Sequence, residues 1–167
     1  MNTNVILQNA TGTENIPSGS DFTAWAQPLL EHIAELSPKT ANKITPDTLV
    51  ELCIRVVTEE ESQQLNLGFR NKDKPTNVLS FGYELPDNAD LPILILGDLA
   101  ICADVVVREA AGLGIPATEH WAHMVIHGIL HLLGYDHQKP DDETIMTALE
   151  IKYMDILGYE NPYPNTH

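Results

Sequence analysis

The sequence predicts an α+β fold, with a small four-stranded mixed sheet packed with about five helices in one domain spanning residues 1–167. A chain of 167 residues suffices for one domain and is too short for two of ordinary size. Hydrophobic residues make up 43% of it and charged residues 20%, a composition that excludes disordered and collagen-like chains. Strand and helix patterns occur in mixed order, which favours an α+β architecture.

Four segments have the pattern of β-strands. They are short runs that alternate or are rich in branched apolar residues, at 4–8, 49–57, 78–83 and 93–96. The last of these can continue through Gly97 and Asp98 towards Ile101. Two connections are marked by prolines: Pro38 and Pro46 bracket a loop, and residues 86–92 form a turn.

Five segments are predicted to be helices, from helical spacing of apolar residues in the first and from cap and helix-breaking residues in others. They cover residues 20–33, 59–69, 103–113, 118–133 and 141–157. Ser20 is positioned to cap the first helix. Thr58 and Glu61 predict a capping box at the second, in which each side chain accepts from the backbone amide of the other. Gly134 is well placed for a left-handed C-terminal cap after the fourth.

The charge of the chain argues against a nucleic-acid partner. Nine Lys and Arg residues against 24 Asp and Glu residues give a net charge of −15, which repels phosphates at long range. Three of the nine cations nevertheless cluster at Arg70, Lys72 and Lys74. Such a charged loop is often only solvated. Arginine nevertheless suits bidentate contact with phosphate. A local positive patch can also offset the acidic remainder of the chain at close range, within the screening length of about 8–10 Å.

Cysteine usage and hydropathy predict a cytoplasmic protein. Cys53 and Cys102 lie far apart and in no paired motif, which excludes a disulfide scaffold and fits a reducing compartment. No uncharged apolar run approaches the ~20 residues of a membrane helix, so no membrane partner is expected. Residues 1–4 contain no basic residue ahead of an apolar stretch, which argues against a signal peptide.

Five of the seven histidines lie between His120 and His137. His127 and His131 are four residues apart on a predicted helix, so their side chains share one face. Gly134 ends that helix and His137 follows three residues later, giving the H-x-x-x-H-x-x-G-x-x-H spacing of metzincin-type metal sites. Three imidazoles leave a fourth position open, as in catalytic zinc sites. We expect one Zn²⁺ per chain, although imidazole also suits other borderline divalent ions.

Two further histidines lie upstream of this motif. A helical stripe from His123 to His131 would span roughly 12 Å, too far for one ion to bond to both ends. His123 is therefore expected behind the ligands or in the core, and the same applies to His120.

The residue that follows His127 bears on the type of reaction that the site can catalyse. Metalloproteases with this spacing carry a glutamate there as general base, whereas this chain has Gly128. A metal-dependent peptidase or other hydrolase is therefore the second interpretation. Asp136 and Asp98 are candidates for the base, and both have structural alternatives. Asp136 can orient a histidine or cap the turn, and Asp98 can cap the following helix. The sequence does not show whether the general base is Asp136, Asp98 or neither of them.

Several segments together closely resemble the bacterial YbeY family. They are Leu-Asn at 65–66, Phe-Arg at 69–70, Lys-Asp-Lys-Pro-Thr-Asn-Val-Leu-Ser-Phe at 72–81, Leu-Gly-Asp at 96–98, Ile-Cys at 101–102, and the histidine motif at 127–137. The resemblance extends from about residue 49 to residue 163, whereas roughly the first 45 residues match only loosely.

The resemblance implies a zinc-dependent endoribonuclease that prefers single strands and acts in 3′-end maturation of small-subunit (16S) ribosomal RNA and in ribosome quality control. It also implies an α+β fold with a small sheet. His127, His131 and His137 would hold the metal, and Arg70 would be the key catalytic residue outside the ligand set. The expected partners are single-stranded or ribosomal RNA, the small ribosomal subunit and ribosomal proteins.

A third interpretation is a non-catalytic ribosome-assembly factor with a structural metal, for which chelation would unfold the protein. The acidic surface would suit basic ribosomal proteins as partners of such a factor. The sequence indicates neither the RNA cleavage site nor the oligomeric state, nor whether a protein partner is required.

Overall fold

A four-stranded mixed sheet forms the centre of the computed structural model, which describes residues 2–83, 92–136 and 138–163. The strands are β1 (Asn2–Asn9), β2 (Leu49–Val57), β3 (Val78–Gly82) and β4 (Ile93–Cys102). Their spatial order is β1-β2-β4-β3, with β1, β2 and β4 parallel and β3 antiparallel to β4. The predicted mixed sheet is confirmed, and β3 forms one of its edges.

Seven helices occur in the described part of the chain, against about five predicted. They are α1 (Gly19–Glu31), α2 (Ile33–Leu36), α3 (Pro38–Ala41), α4 (Glu59–Arg70), α5 (Ala103–Leu113), α6 (Ala117–Leu132) and α7 (Pro140–Ile156). The two additional helices are α2 and α3, each of four residues, which is too short to show a helical period. The prediction of a loop from Pro38 to Pro46 is therefore wrong at its start, because Pro38 opens α3 in the first-turn position that proline favours.

The predicted caps of α1 and α4 differ in part from the structure. The cap of α1 is Ser18 rather than Ser20, and Ser18 and Asp21 form a reciprocal capping box. At α4, the hydroxyl of Thr58 accepts from the Glu61 amide at 3.2 Å as expected. The carboxylate of Glu61 does not reach back, because it accepts two hydrogen bonds from Arg55, at 2.6 and 3.0 Å.

The main hydrophobic core lies between one face of the sheet and helices α1, α6 and α7. Its sheet side is formed by alternate residues of β2 and β4, which point to the same face. The largest fully buried residues of this core include Phe22, Leu29, Leu52, Ile54, Leu99 and Ile126. A smaller cluster on the other face lies under α4 and α5 and contains Val57, Leu79, Ala100, Cys102 and Val105. The sheet therefore holds α6 on one side and the C-terminal end of α4 on the other.

Two further expectations from the sequence concern the turn at residues 86–92 and membrane-spanning helices. The predicted turn at 86–92 falls largely on residues 84–91, which lie outside the described residues. Within the ranges described, no helix combines the length and the apolar composition needed to cross a bilayer.

Candidate functional site

Helix α6 presents His127 and His131 on one face. Their ring centroids are 4.6 Å apart, and both side chains line a cavity of about 630 Å³. The opposite side of the helix is fixed in the core by Ile126, Ile129 and Leu130, which are fully buried. The i and i+4 positions of the motif therefore bring two imidazoles to the same cavity.

The chain reverses directly after α6. Gly134 adopts a φ of 98°, a left-handed conformation, as predicted. The amide of Gly134 donates to the carbonyl of His131, and the amide of Tyr135 donates to that of Leu130, which together form a Schellman cap. The Tyr135 hydroxyl donates to the Leu36 carbonyl at 2.7 Å and fixes the exit path. His137, the third predicted ligand, lies outside the described residues, so its position stays a prediction.

Glu150 of α7 lies behind His127. Its carboxylate is fully buried, and Oε1 is 2.7 Å from Nδ1 of His127 and 3.1 Å from Nε2 of His123. The hydroxyl of Tyr163 donates to Oε2 at 2.9 Å. An ionised carboxylate only accepts hydrogen bonds, so the imidazole nitrogen that faces it carries the proton. A neutral His127 then keeps its lone pair on Nε2.

The ionisation of this cluster follows from its contacts. Burial would raise the pKa of Glu150, but hydrogen bonds and charge from His123 and His127 outweigh burial and lower that pKa to about 2. Burial raises the pKa of Tyr163, and the nearby Glu150 carboxylate raises it further. Glu150 is therefore a carboxylate and Tyr163 a neutral donor at neutral pH.

These residues fit a bound divalent metal. Imidazole nitrogens are common zinc ligands, and a metal-ligating histidine usually donates its other N–H to a carboxylate or carbonyl. His127 has such a partner in Glu150. Among the described residues, no three His, Cys, Asp or Glu side chains form a group that could hold a metal, so a three-ligand site depends on His137.

Gly128 is enclosed by the sheet. A Cβ added there would lie 2.8 Å from Cδ2 of Leu99 and 3.2 Å from Cγ2 of Val78, and its carbonyl accepts from the Ser80 hydroxyl at 2.9 Å. The close approach of α6 to β3 and β4 therefore leaves no room for a side chain. A glutamate base of the metalloprotease kind cannot occupy this position without displacing the core.

Arg70 lines the same cavity as His127 and His131. It is the last residue of α4, and Asn71 caps that helix in the left-handed conformation, with φ at 59°. The loop that follows is fixed to α4 by two buried polar residues. The hydroxyl of Ser62 bonds to both the amide and the carbonyl of Thr76, at 2.9 and 3.0 Å. The Asn66 amide donates to the Lys74 carbonyl at 2.8 Å. The basic loop is therefore held against the protein at its backbone.

The two candidate bases lie in different surroundings. Asp136 lines the cavity and is the only carboxylate among the described residues that do so. Asp98 pairs with Phe81 in the sheet and accepts from the Tyr83 hydroxyl at 2.8 Å. Its neighbour Leu99 faces α6, so Asp98 projects from the opposite face of the sheet. Asp98 also does not cap α5, whose N-cap position is Cys102.

His123 and His120 lie deeper in the protein than the two candidate ligands. Both are buried; His123 shares Glu150 with His127, and Nε2 of His120 is 2.9 Å from Oε1 of Glu109. They line a second cavity, of about 680 Å³, together with Met124, Met154 and Tyr163. His127 lines both cavities.

The matches to known proteins include a family model and a solved structure. The family model of endoribonuclease YbeY matches residues 7–158. The solution structure of TM1509 from Thermotoga maritima is 24% identical to this chain, and the match covers 91% of this chain and 89% of that one, with a TM-score of 0.48.

Proposed function

The chain belongs to the YbeY endoribonuclease family, and from that premise we propose that it is a metal-dependent, single-strand-specific endoribonuclease of small-subunit ribosomal RNA maturation. In this proposal His127, His131 and His137 bind one Zn²⁺ and Arg70 contacts the reacting phosphate. The 3′ end of 16S rRNA, a role in ribosome quality control and contact with ribosomal proteins belong to the same proposal, as does a cytoplasmic location.

One observation supports this activity best: Arg70 and the two described histidines line one cavity. They come from α4 and α6, on opposite sides of the sheet, and meet at the edge strand β3. A cation and a pair of metal-ligand side chains on one open cavity suit the cleavage of an anionic ester. A cavity of about 630 Å³ is of the size that accommodates small-molecule groups such as a nucleotide.

The metal would supply Lewis acidity and a water nucleophile available near neutral pH. Glu150 keeps the proton of His127 on Nδ1, so Nε2 would be the nitrogen that binds the metal. Arg70 presents planar N–H donors that match two phosphate oxygens and oppose the negative charge that develops during cleavage. The proton acceptor is either Asp136 or solvent, because Asp98 projects from the other face of the sheet.

The structure adds to the argument against the peptidase interpretation, which rests on the ligand spacing alone. Its usual base would stand at position 128, where Leu99 and Val78 already fill the space. The assembly-factor interpretation remains distinct, because it requires no cleavage and makes the metal part of the fold.

The test compares substrates with one metal-loaded preparation. Parent protein and a His131→Ala variant, purified identically, are incubated with single-stranded RNA, a duplex of the same sequence and an unfolded protein. We expect the parent to cut only the single strand and the variant to lose that activity. Equal cleavage by the variant would mean a contaminating nuclease and would refute the proposal. A parent that binds ribosomes without cutting RNA would favour the assembly factor.

A further inference from the structure

The aromatic ring of Phe69 is unusually accessible for its size. Phe69 is 68% exposed, more than any other large hydrophobic residue in the described part of the chain. It directly precedes Arg70 in the last turn of α4, and both side chains line the cavity that contains His127 and His131. An apolar ring is therefore held in solvent beside the proposed reaction centre.

The ring is also supported from beneath. The rings of Phe69 and Phe81 meet edge to face, with centroids 4.7 Å apart and an interplanar angle of 62°. Phe81 belongs to β3 and packs against the smaller core cluster, which ties this pair to the sheet. The support restricts the orientation of the Phe69 ring while leaving most of its surface accessible.

We propose that Phe69 is a base-stacking platform, on which an unpaired base of single-stranded RNA next to the cleaved phosphate rests. This inference depends on the proposed function and adds to it a residue that determines substrate specificity. Aromatic side chains stack on unpaired bases of any identity, whereas a base inside a duplex has both of its faces covered. A platform beside Arg70 therefore selects unpaired RNA without reading its sequence.

The charge of the chain gives a physical reason for such a platform. Most nucleic-acid binding rests on neutralising phosphates, but this chain has a net charge of −15 and only nine Lys and Arg residues. The basic loop supplies three of those cations, at Arg70, Lys72 and Lys74. Stacking is largely independent of net charge, so it contributes affinity where long-range electrostatics opposes binding.

The path of the RNA follows from the shape of the cavity. All five residues of β3 line it, with Phe69 and Arg70 at the end of α4 and the two histidines on α6. Because β3 is at the sheet edge and all of its residues line the cavity, we infer that the RNA strand runs along β3. A strand of RNA lying along β3 would place one base on Phe69 as its neighbouring phosphate meets Arg70.

The test uses two substitutions of Phe69 and one matched control. Phe69→Leu removes the aromatic face while keeping an apolar side chain, and Phe69→Trp retains stacking. Leu113→Ala is the control, because Leu113 is 64% exposed and also ends a helix before a left-handed cap, but it lines the other cavity. Thermal unfolding and sedimentation of each variant show whether fold and oligomeric state are preserved.

With metal-loaded protein and single-stranded RNA, we expect Phe69→Leu to raise KM by about 5- to 100-fold, the range for losing one stacked base, and to leave kcat near that of the parent. Phe69→Trp should retain the parental KM, and Leu113→Ala should match the parent. The factor lost in Phe69→Leu should be equal at low and high salt, because stacking releases no counterions. A purely electrostatic contribution would shrink with salt.

A binding measurement separates this inference from the proposed function. In Phe69→Trp with chelator present, single-stranded RNA should quench the fluorescence of the introduced indole, whereas a fully abasic strand of the same length should not. The platform would be overturned by a parental KM in Phe69→Leu, by equal quenching with duplex RNA, or by a changed oligomeric state in Phe69→Leu. Each of these results is compatible with continued cleavage of RNA by the parent. If Phe69→Trp shows this quenching while neither it nor the parent cuts RNA, only the proposed activity would be refuted.

Discussion

Oε1 of Glu150 lies 2.7 Å from Nδ1 of His127, on the side of the imidazole opposite to the nitrogen that would bind metal. The two residues come from different helices and are 23 positions apart. Carboxylates in this position fix the tautomer and the orientation of a ligating histidine and increase its basicity. The pair therefore leads directly to a prediction about metal affinity.

Replacing Glu150 with glutamine should weaken metal binding by about 10- to 100-fold, because an amide is a poorer acceptor and does not enforce one tautomer. The measurement is competition for Zn²⁺ against a chromophoric chelator. Asp155→Asn, at an exposed position on the same helix, is the control and should bind like the parent. Unchanged affinity in Glu150→Gln would show that the carboxylate does not support a ligand.

Binding of Zn²⁺ should raise the thermal midpoint of metal-free protein, since a ligand that binds only the folded state stabilises it by about 2.7 kcal/mol at one hundred times its Kd. Differential scanning calorimetry checks this, and His131→Ala should show a much smaller shift. A chain that is unfolded without metal would contradict the expectation and indicate a structural metal.

Truncating Arg70 to alanine should lower kcat by about 10²- to 10³-fold, as for the loss of one preorganised donor to developing negative charge. Arg70→Lys should recover only part of the rate, because an ammonium lacks the planar pair of donors. Single-turnover cleavage of single-stranded RNA measures both. Arg108→Ala is the matched control, since Arg108 pairs with Glu59 on the surface. An Arg70→Ala enzyme as fast as Arg108→Ala would remove Arg70 from the reaction.

Gly128→Ala should be less stable than Gly112→Ala by about 1–3 kcal/mol, the usual cost of overpacking a core. Both glycines are helical, but a Cβ at position 112 meets nothing within 4 Å, whereas at position 128 it meets Leu99 and Val78. Urea unfolding of the two variants gives the difference. Equal stabilities would show that α6 can move away from the sheet at no cost.

Ser62→Ala should release the basic loop, because the hydroxyl of Ser62 satisfies the amide and the carbonyl of Thr76. Leaving such groups unpaired costs about 1–3 kcal/mol. Hydrogen exchange should accelerate at residues 71–76, while α6 keeps its protection. Ser20→Ala, at an exposed position of α1, should change neither. Unaltered exchange in Ser62→Ala would mean that the loop is held by other contacts.

Much of the fold could be predicted from local patterns. The structure confirms the expected bounds of β2 at 49–57 and of α5 at 103–113, because branched runs and a capped helical period are unambiguous signals. The turn at Gly134 was likewise predictable, since a left-handed residue after a helix favours glycine.

Glu150 was missed because its role depends on how α7 packs on α6. A signal was nevertheless present in the sequence. Met146, Glu150, Tyr153 and Met154 follow the i, i+4, i+7, i+8 spacing of a buried helix face, and all four are buried. A carboxylate within an apolar stripe indicates a buried partner, and the nearby histidine motif supplied one.

The anchoring of Arg70 could not be predicted in this way. The buried residues of α4 are Ser62 and Asn66, beside the partly buried Leu65, so the inner face of that helix is largely polar and is poorly marked by hydrophobic spacing. The surroundings of Asp98 also required the structure. The register of β2 and β4 shifts between Glu51 and Leu52, and that irregularity is not evident from strand patterns.

His127 lines both cavities, so its ring borders the cavity that contains Met124 and Met154 as well as the one that contains Arg70. A small apolar molecule bound between Met124 and Met154 would press on His123 and His127 without competing with substrate. Under the proposed function, such a compound would lower turnover at any RNA concentration, because it would occupy a different cavity from the one that contains Arg70.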